Sequence, residues 1–176
     1  MPSAERDESR TAAEVPEQVT PTAQVGADAP DSPQRQSIEL LFFAYRDFTG
    51  DADAILMGYG FGRAHHRVIY FVGRRPGITV GDLVAILKIT KQSLARVLGQ
   101  LMREGFIVQR VDPRDGRRRR LYLTPEAEAL ERTLTERQSA RIKAACAAAG
   151  EAAASGFRAV LREMVNPEER GRFGFP

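Results

Sequence analysis

The sequence predicts a mainly α-helical protein carrying one small β-hairpin, organised around residues 79–124. Three observations lead there. Two short segments with helical apolar spacing, Val80–Leu87 and Lys91–Arg103, are separated only by Lys88, Ile89 and Thr90. Leu83, Ile86 and Leu87 share one face of the first, and Leu94, Val97, Leu98 and Leu101 share one face of the second. Helices this close, each with one apolar side, must cross and bury those sides together, which makes a helix-turn-helix. Next come two strand candidates, residues 106–110 and 121–123, joined by the turn residues Asp112-Pro113-Arg114-Asp115-Gly116 and by four arginines, Arg117 to Arg120. A basic-tipped hairpin beside a helix-turn-helix is a winged helix. Finally, long amphipathic segments flank this core on both sides. The fold class expected is therefore a winged helix-turn-helix with N- and C-terminal dimerisation helices.

Taken in order, residues 1–33 are rich in Ala, Pro and acidic groups and carry almost no large apolar side chain. Such a segment cannot bury enough surface to offset its ordering entropy, so a disordered acidic tail is expected. Residues 36–57 read as a long helix with Ile38, Leu41, Phe42, Tyr45, Phe48, Ile55 and Leu56 broadly on one side. Leu40 and Phe43 widen that stripe until the first half is apolar nearly all round, so it should be covered on both sides. In a chain of 176 residues, a second subunit is the covering surface to expect. Gly58-Tyr59-Gly60 ends this helix. Residues 61–74 form the next, with Ala64, Val68, Ile69 and Val72 inward. Pro76-Gly77 turns the chain.

Thr79 then caps the first helix of the motif, with Asp82 placed for a capping box. Thr90 caps the second, and Gly105 stops it. In the hairpin, Phe106 and Val108 should share one face, and Leu121 and Leu123 should alternate inward. Thr124 caps a long helix that has Pro125 at its first position and Glu126 and Glu128 favourable to its dipole. It should run to Ala149, with Leu130, Leu134, Ile142, Ala145 and Ala149 as its stripe. A second segment, 151–165, carries Phe157, Val160, Leu161 and Met164 and ends at Asn166-Pro167. The domain boundaries expected are a tail over 1–33, a dimerisation helix over 36–60, a winged core over 61–124, paired dimerisation helices over 125–166 and a C-terminal tail over 167–176.

The stretch LVAILKITKQSLARVLGQLMREGFIVQRVDPRDGRRRRLYLT resembles the core of MarR-type winged-helix transcriptional regulators. Its wing matches the family pattern at Asp112, Pro113, Asp115 and Arg117, and then at Leu121, Leu123 and Thr124. The likeness spans roughly residues 38–164 and is strongest over 61–124. It implies a homodimer that binds double-stranded DNA at an inverted repeat, a bacterial-type regulator of the cytoplasm and nucleoid, with no cofactor. It also implies a pocket for a small organic effector, anionic or aromatic, between the second helix and the dimer helices, which His65 or His66 would line. Two positions depart from the family habit. Val84 stands where alanine is frequent, and Lys88 where glycine is frequent; a left-handed lysine there costs up to about 1 kcal/mol.

Charge supports the same surface. The formal net charge is only +3, yet residues 1–35 hold seven acidic and three basic groups, a net −4, which leaves +7 for the rest. Residues 88–120 hold ten basic and three acidic groups, also +7. The whole excess therefore sits on the second motif helix and the wing, the footprint of a DNA-facing surface. The candidate DNA-binding residues are Thr90, Lys91, Gln92, Ser93, Arg96, Arg114, Arg117, Arg118 and Arg119. Gln92 and Arg96 suit base edges, since glutamine pairs with adenine and arginine with guanine. Lys91 and Ser93 suit phosphates equally well. An arginine run alone is an ordinary solvated loop, and a winged helix can also be a protein-interaction module that scarcely touches DNA. The basic wing disfavours that alternative.

Other chemistry is thin. His65 and His66 are adjacent, so a helix points them about 100° apart and they cannot form an i, i+4 metal pair. An ordinary structural or surface role is the alternative to pocket lining. Cys146, the single cysteine, lies in an alanine run and reads as a buried small residue. Asp112 and Asp115 among arginines read as salt-bridge partners rather than an acid–base pair. No nucleophile, phosphate loop or metal cluster is spaced for catalysis, so the reading is of a non-enzyme. No apolar run approaches the roughly 20 residues of a membrane helix, and the N-terminus lacks a secretory pattern.

Overall fold

The computed structural model describes residues 32–173. Within them the order is α1 (Pro33–Met57), α2 (Arg63–Arg74), β1 (Ile78–Thr79), α3 (Val80–Leu87), α4 (Lys91–Arg103), β2 (Ile107–Asp112), β3 (Asp115–Leu123), α5 (Pro125–Ala149), α6 (Glu151–Met164) and α7 (Pro167–Phe173). The chain comprises two compact units divided after Glu39. The described part of the first is the opening of α1. All tertiary packing below belongs to the second. The tail expected over 1–33 lies outside the described residues except for its last two positions, Ser32 and Pro33, where α1 is capped and opens. Ser32 starts that helix: its hydroxyl accepts the Arg35 N–H at 3.3 Å, and Pro33 occupies the first turn, where its missing N–H costs nothing.

The helix-turn-helix has the bounds its apolar spacing predicts. The Thr79 hydroxyl accepts the Asp82 N–H at 3.2 Å, and the Asp82 carboxylate accepts the Thr79 N–H at 3.2 Å, closing the capping box. Lys88 ends α3 in the left-handed region at φ 52°, the sole non-glycine there among the described residues. Leu83, Leu94 and Leu101 have no exposed surface, and Leu98 is 3% exposed. With Val68, Ile69 and Val72 of α2 and Leu130 and Leu134 of α5, they form one core. Ala64 departs from expectation. It is exposed, because it sits in the first turn of α2, before the helix reaches the core.

The sheet is antiparallel with strand order β1-β3-β2. The two residues of β1 pair with β3, Ile78 opposite Leu121 and Thr79 opposite Arg120. The expected phase of β2 is wrong. Phe106 precedes the strand, folded back at the corner after Gly105, where its N–H donates to the Leu101 carbonyl at 2.8 Å. The strand therefore starts one residue later, with Ile107 buried and Val108 38% exposed. The arginine run is not a loop: β3 starts at Asp115 and carries all four arginines, leaving Pro113 and Arg114 as the turn.

Thr124 caps α5 by accepting the Ala127 N–H at 3.3 Å, and its hydroxyl also donates to the Gly105 carbonyl at 2.8 Å. Gly150, at φ 86°, is the single residue between α5 and α6. Asn166-Pro167 ends α6, as expected, and also starts α7, which was not foreseen. Ile142, placed on the inward stripe of α5, is 43% exposed. Cys146 is half-buried rather than buried. No helix among the described residues is long and apolar enough to cross a membrane.

Candidate nucleic-acid interface

The inner face of α4 is fully committed to the core, so its outer face is defined by exclusion. Lys91, Gln92 and Arg96 are exposed there and Ser93 is half-exposed. Gln92 and Arg96 are one turn apart and therefore neighbours on that surface. Thr90 fixes the start of the helix: its side chain accepts the Ser93 N–H at 3.1 Å, and its hydroxyl donates to Ser93 Oγ at 3.0 Å. The junction before it is held from outside the motif, since Lys88 Nζ lies 2.7 Å from Glu169 Oε1 of α7.

The wing is braced by its two aspartates. Asp112 is 4% exposed. One of its oxygens accepts the Arg114 N–H at 3.0 Å; the other meets Arg120 Nη2 at 2.7 Å. Arg120 also donates from Nη1 to the Gly77 carbonyl at 3.3 Å, tying the hairpin to the turn before β1. The Arg120 guanidinium, followed by the Arg114 N–H, holds the Asp112 carboxyl below its ordinary value of 3.8. Asp115 accepts the Arg117 N–H at 3.1 Å and lies 3.5 Å from Arg117 Nε and 3.4 Å from Arg118 Nε. The Arg117 side chain is nevertheless 95% exposed. Arg119 donates to the Gly116 carbonyl at 2.9 Å.

Arg114, Arg117, Arg118 and Arg119 thus remain at the surface, while Arg120, alike in sequence, is a brace. Only the strand register, which sets Arg120 opposite Arg110 and Thr79, separates it from its neighbours. The expected salt-bridge role of both aspartates is what the geometry shows.

The two histidines go to different places. His66 lines a cavity of about 330 Å³ between α1, α2 and α5, with Tyr45, Phe48, Arg63, Arg67, Tyr70 and Phe71 among its walls. Burial pushes the His66 imidazole below its ordinary range, against the opposing pull of Asp53 and Glu131. His65 is not among the residues lining this cavity. Its ring stacks on Phe61, with centroids 4.9 Å apart, accepts the Gly62 N–H at Nδ1 at 3.1 Å and meets Gln100 Oε1 through Nε2 at 2.9 Å. Sequence reasoning missed Gln100 as its partner, since nothing local links positions 35 residues apart.

A basic outward helix face, a braced basic hairpin and a shared core define the class: a winged helix-turn-helix DNA-binding protein. Residues 59–118 match the model of the MarR family. The chain is 49% identical over 143 residues to the HTH-type transcriptional regulator PetP of Rhodobacter capsulatus, covering 81% of this chain and 86% of that one. The chain belongs to the MarR family. Its fold is similar to the crystal structure of MarR (TM-score 0.62, 23% identity, 82% of this chain and 96% of that one). It is also similar to Streptococcus pneumoniae FabT, crystallised in complex with DNA (TM-score 0.58, 17% identity, 80% and 90%). The protein is accordingly a transcriptional regulator and not an enzyme.

Proposed function

We propose that the protein acts as a homodimer on an inverted-repeat operator in duplex DNA, in the cytoplasm and on the nucleoid. The observation that carries the dimer is the bare apolar surface of the terminal helices. Phe42 and Phe43 of α1 are 63% and 47% exposed, and Val160 and Met164 of α6 are 58% and 59% exposed. A single chain rarely leaves so much clustered apolar surface in water, and a second copy covers it by self-complementarity. Two α4 helices then enter successive major grooves about one helical turn apart or somewhat more. Gln92 and Arg96 read base edges; Thr90, Lys91, Ser93, Arg114, Arg118 and Arg119 engage phosphates; Arg117 enters the flanking minor groove, where a narrow groove concentrates negative potential.

The cavity beside His66 suits a small organic anion with an aromatic body, because its walls combine aromatic rings with Arg63 and Arg67. By linkage, an anion that weakens DNA binding must itself be bound less tightly by the DNA-bound protein. Sedimentation equilibrium together with footprinting on selected duplexes tests the main reading. Expected are a dimer and a two-fold symmetric footprint; a monomer with an asymmetric footprint would refute it. For the cavity, a panel of aromatic carboxylates should raise the melting temperature of the parent, and His66→Ala should abolish that rise while His65→Ala retains it. Stabilisation indifferent to His66 would place the ligand elsewhere.

A further inference from the structure

We propose that His65 and Gln100 are positioning residues that fix the rotational setting of α4, an inference resting on the reading that α4 is the helix that enters the groove. Three hydrogen bonds form one chain. The Gly62 N–H donates to His65 Nδ1 at 3.1 Å. That leaves the ring proton on Nε2, which donates to Gln100 Oε1 at 2.9 Å. With Oε1 so used, the Gln100 amide NH₂ faces the Gly60 carbonyl and donates to it at 3.3 Å. Each link dictates the next, so the side chains have one arrangement in which all are satisfied.

The ring has little freedom to leave it. His65 lies nearly parallel to Phe61, at 14°. Phe61 is itself 5% exposed and is held edge-on by Phe106 at 4.9 Å. The chain therefore runs from a rigid aromatic corner, through the connection between α1 and α2, to the helix that carries Gln92 and Arg96.

The core contacts of α4 do a different job. Leu94, Val97, Leu98 and Leu101 hold it by apolar burial, which is non-directional and resists separation more than rotation about the helix axis. Hydrogen bonds fall off steeply with angle and do resist rotation. Gln100 follows Arg96 by one turn, so a rotation that breaks its bonds swings Arg96 and Gln92 by the same angle. Base reading suffers from such a swing, whereas contacts to phosphates tolerate it. Loss of the chain should thus cost specificity before it costs stability or non-specific affinity.

The test uses the full-length protein with His65→Phe, which keeps the aromatic stack, Gln100→Met, which keeps the side-chain length, and the double variant. Each is measured against a duplex selected by the parent from a random-sequence pool, against an unselected duplex of equal length, and by thermal unfolding. Each single variant should lose roughly tenfold on the selected duplex, comparable to one mismatched base pair. Both should keep nearly parental affinity for the unselected one, and the double variant should be no worse than either single. Imidazole ¹⁵N spectra should show the Nε2 proton in the parent and a changed Nε2 environment in Gln100→Met; if His65→Phe does not fold, Gln100→Met and its spectrum decide. Additive losses, or equal losses on both duplexes in step with melting temperature, overturn the proposal. If Gln92→Ala weakens selected binding while these variants do not, the positioning role falls alone. If Gln92→Ala is also silent, the placement of α4 in the groove falls with it.

Discussion

The winged core and the terminal helices use the same kind of sequence to opposite effect. In α4, Leu94 and Leu101 are completely covered by the chain's own elements. In α1, Phe42 and Phe43 lie just as clearly on an apolar stripe and remain in water. Helical spacing declares which face is apolar; it does not declare what covers it. In the core the covering partners are the chain's own elements, α2, α3 and β2 beside α4 with α5 completing the cluster. At the termini the described elements leave that face bare, and if a second copy covers it as proposed, the stability of those helices should depend on concentration while that of the core does not.

The largest effect should come from removing residues 151–176. This strips α6 and α7, and loss of the dimer and of tight DNA binding should occur together. A folded monomer that binds a selected duplex with parental affinity would break the contrast. Next in size, Leu101→Ala should destabilise the core by about 2–5 kcal/mol, measured by urea unfolding, and the loss should be the same at every protein concentration. Phe42→Ser should instead act through association, lowering the melting temperature most in dilute solution. A concentration-independent loss for Phe42→Ser would mean that α1 is covered within one chain.

Smaller effects sharpen the comparison inside the wing. Arg117→Ala should weaken specific binding by roughly 1–3 kcal/mol, whereas Arg119→Ala should weaken all duplexes alike and reduce the salt slope by about one. Equal small losses from both would reduce the wing to a solvated hairpin without a specific contact. The smallest effect concerns acid. The folded-state pKa of Asp112 is depressed, so its bridge to Arg120 contributes stability that is fully present above the ordinary value of 3.8. That contribution is lost as pH falls through the lower folded value. Asp112→Asn should therefore flatten the acid limb of the stability profile just below 3.8 and leave the shape near neutrality unchanged. An unaltered acid limb would remove the bridge from the account of wing stability.

Much of this was legible because capping chemistry is local. Thr79 with Asp82, Thr90, and Thr124 with Pro125 each mark a helix start to the residue, since a hydroxyl three positions before a free N–H can do little else as well. The left-handed turn at Lys88 is suggested by the resemblance, since the MarR-type pattern often has glycine there, and φ is 52°. The same logic, applied consistently, would have found α1 beginning at Ser32-Pro33 and α7 beginning at Asn166-Pro167. What stayed hidden depends on partners distant in sequence. Two residues of β1 show no alternation to detect. Four consecutive arginines conceal a strand because every position looks alike. The phase of β2 turned on whether Phe106 belonged to the strand or to the corner before it. The division of labour between His65 and His66 required knowing that Gln100 lies across from one of them.

One hydroxyl joins the wing to a long helical lever. Thr124 follows β3, caps α5 and holds the Gly105 carbonyl, so one hydroxyl ties the root of α5 to the corner that follows α4. The 25 residues of α5 span about 37 Å at 1.5 Å per residue. A tilt of about 5° at that root carries the far end, where Gly150 reverses the chain, through about 3 Å. Read in the other direction, a shift of that size at the tip appears at the wing only as a small angle. By this geometry a coarse displacement at the far end of α5 corresponds to a fine change of angle at the base of the hairpin.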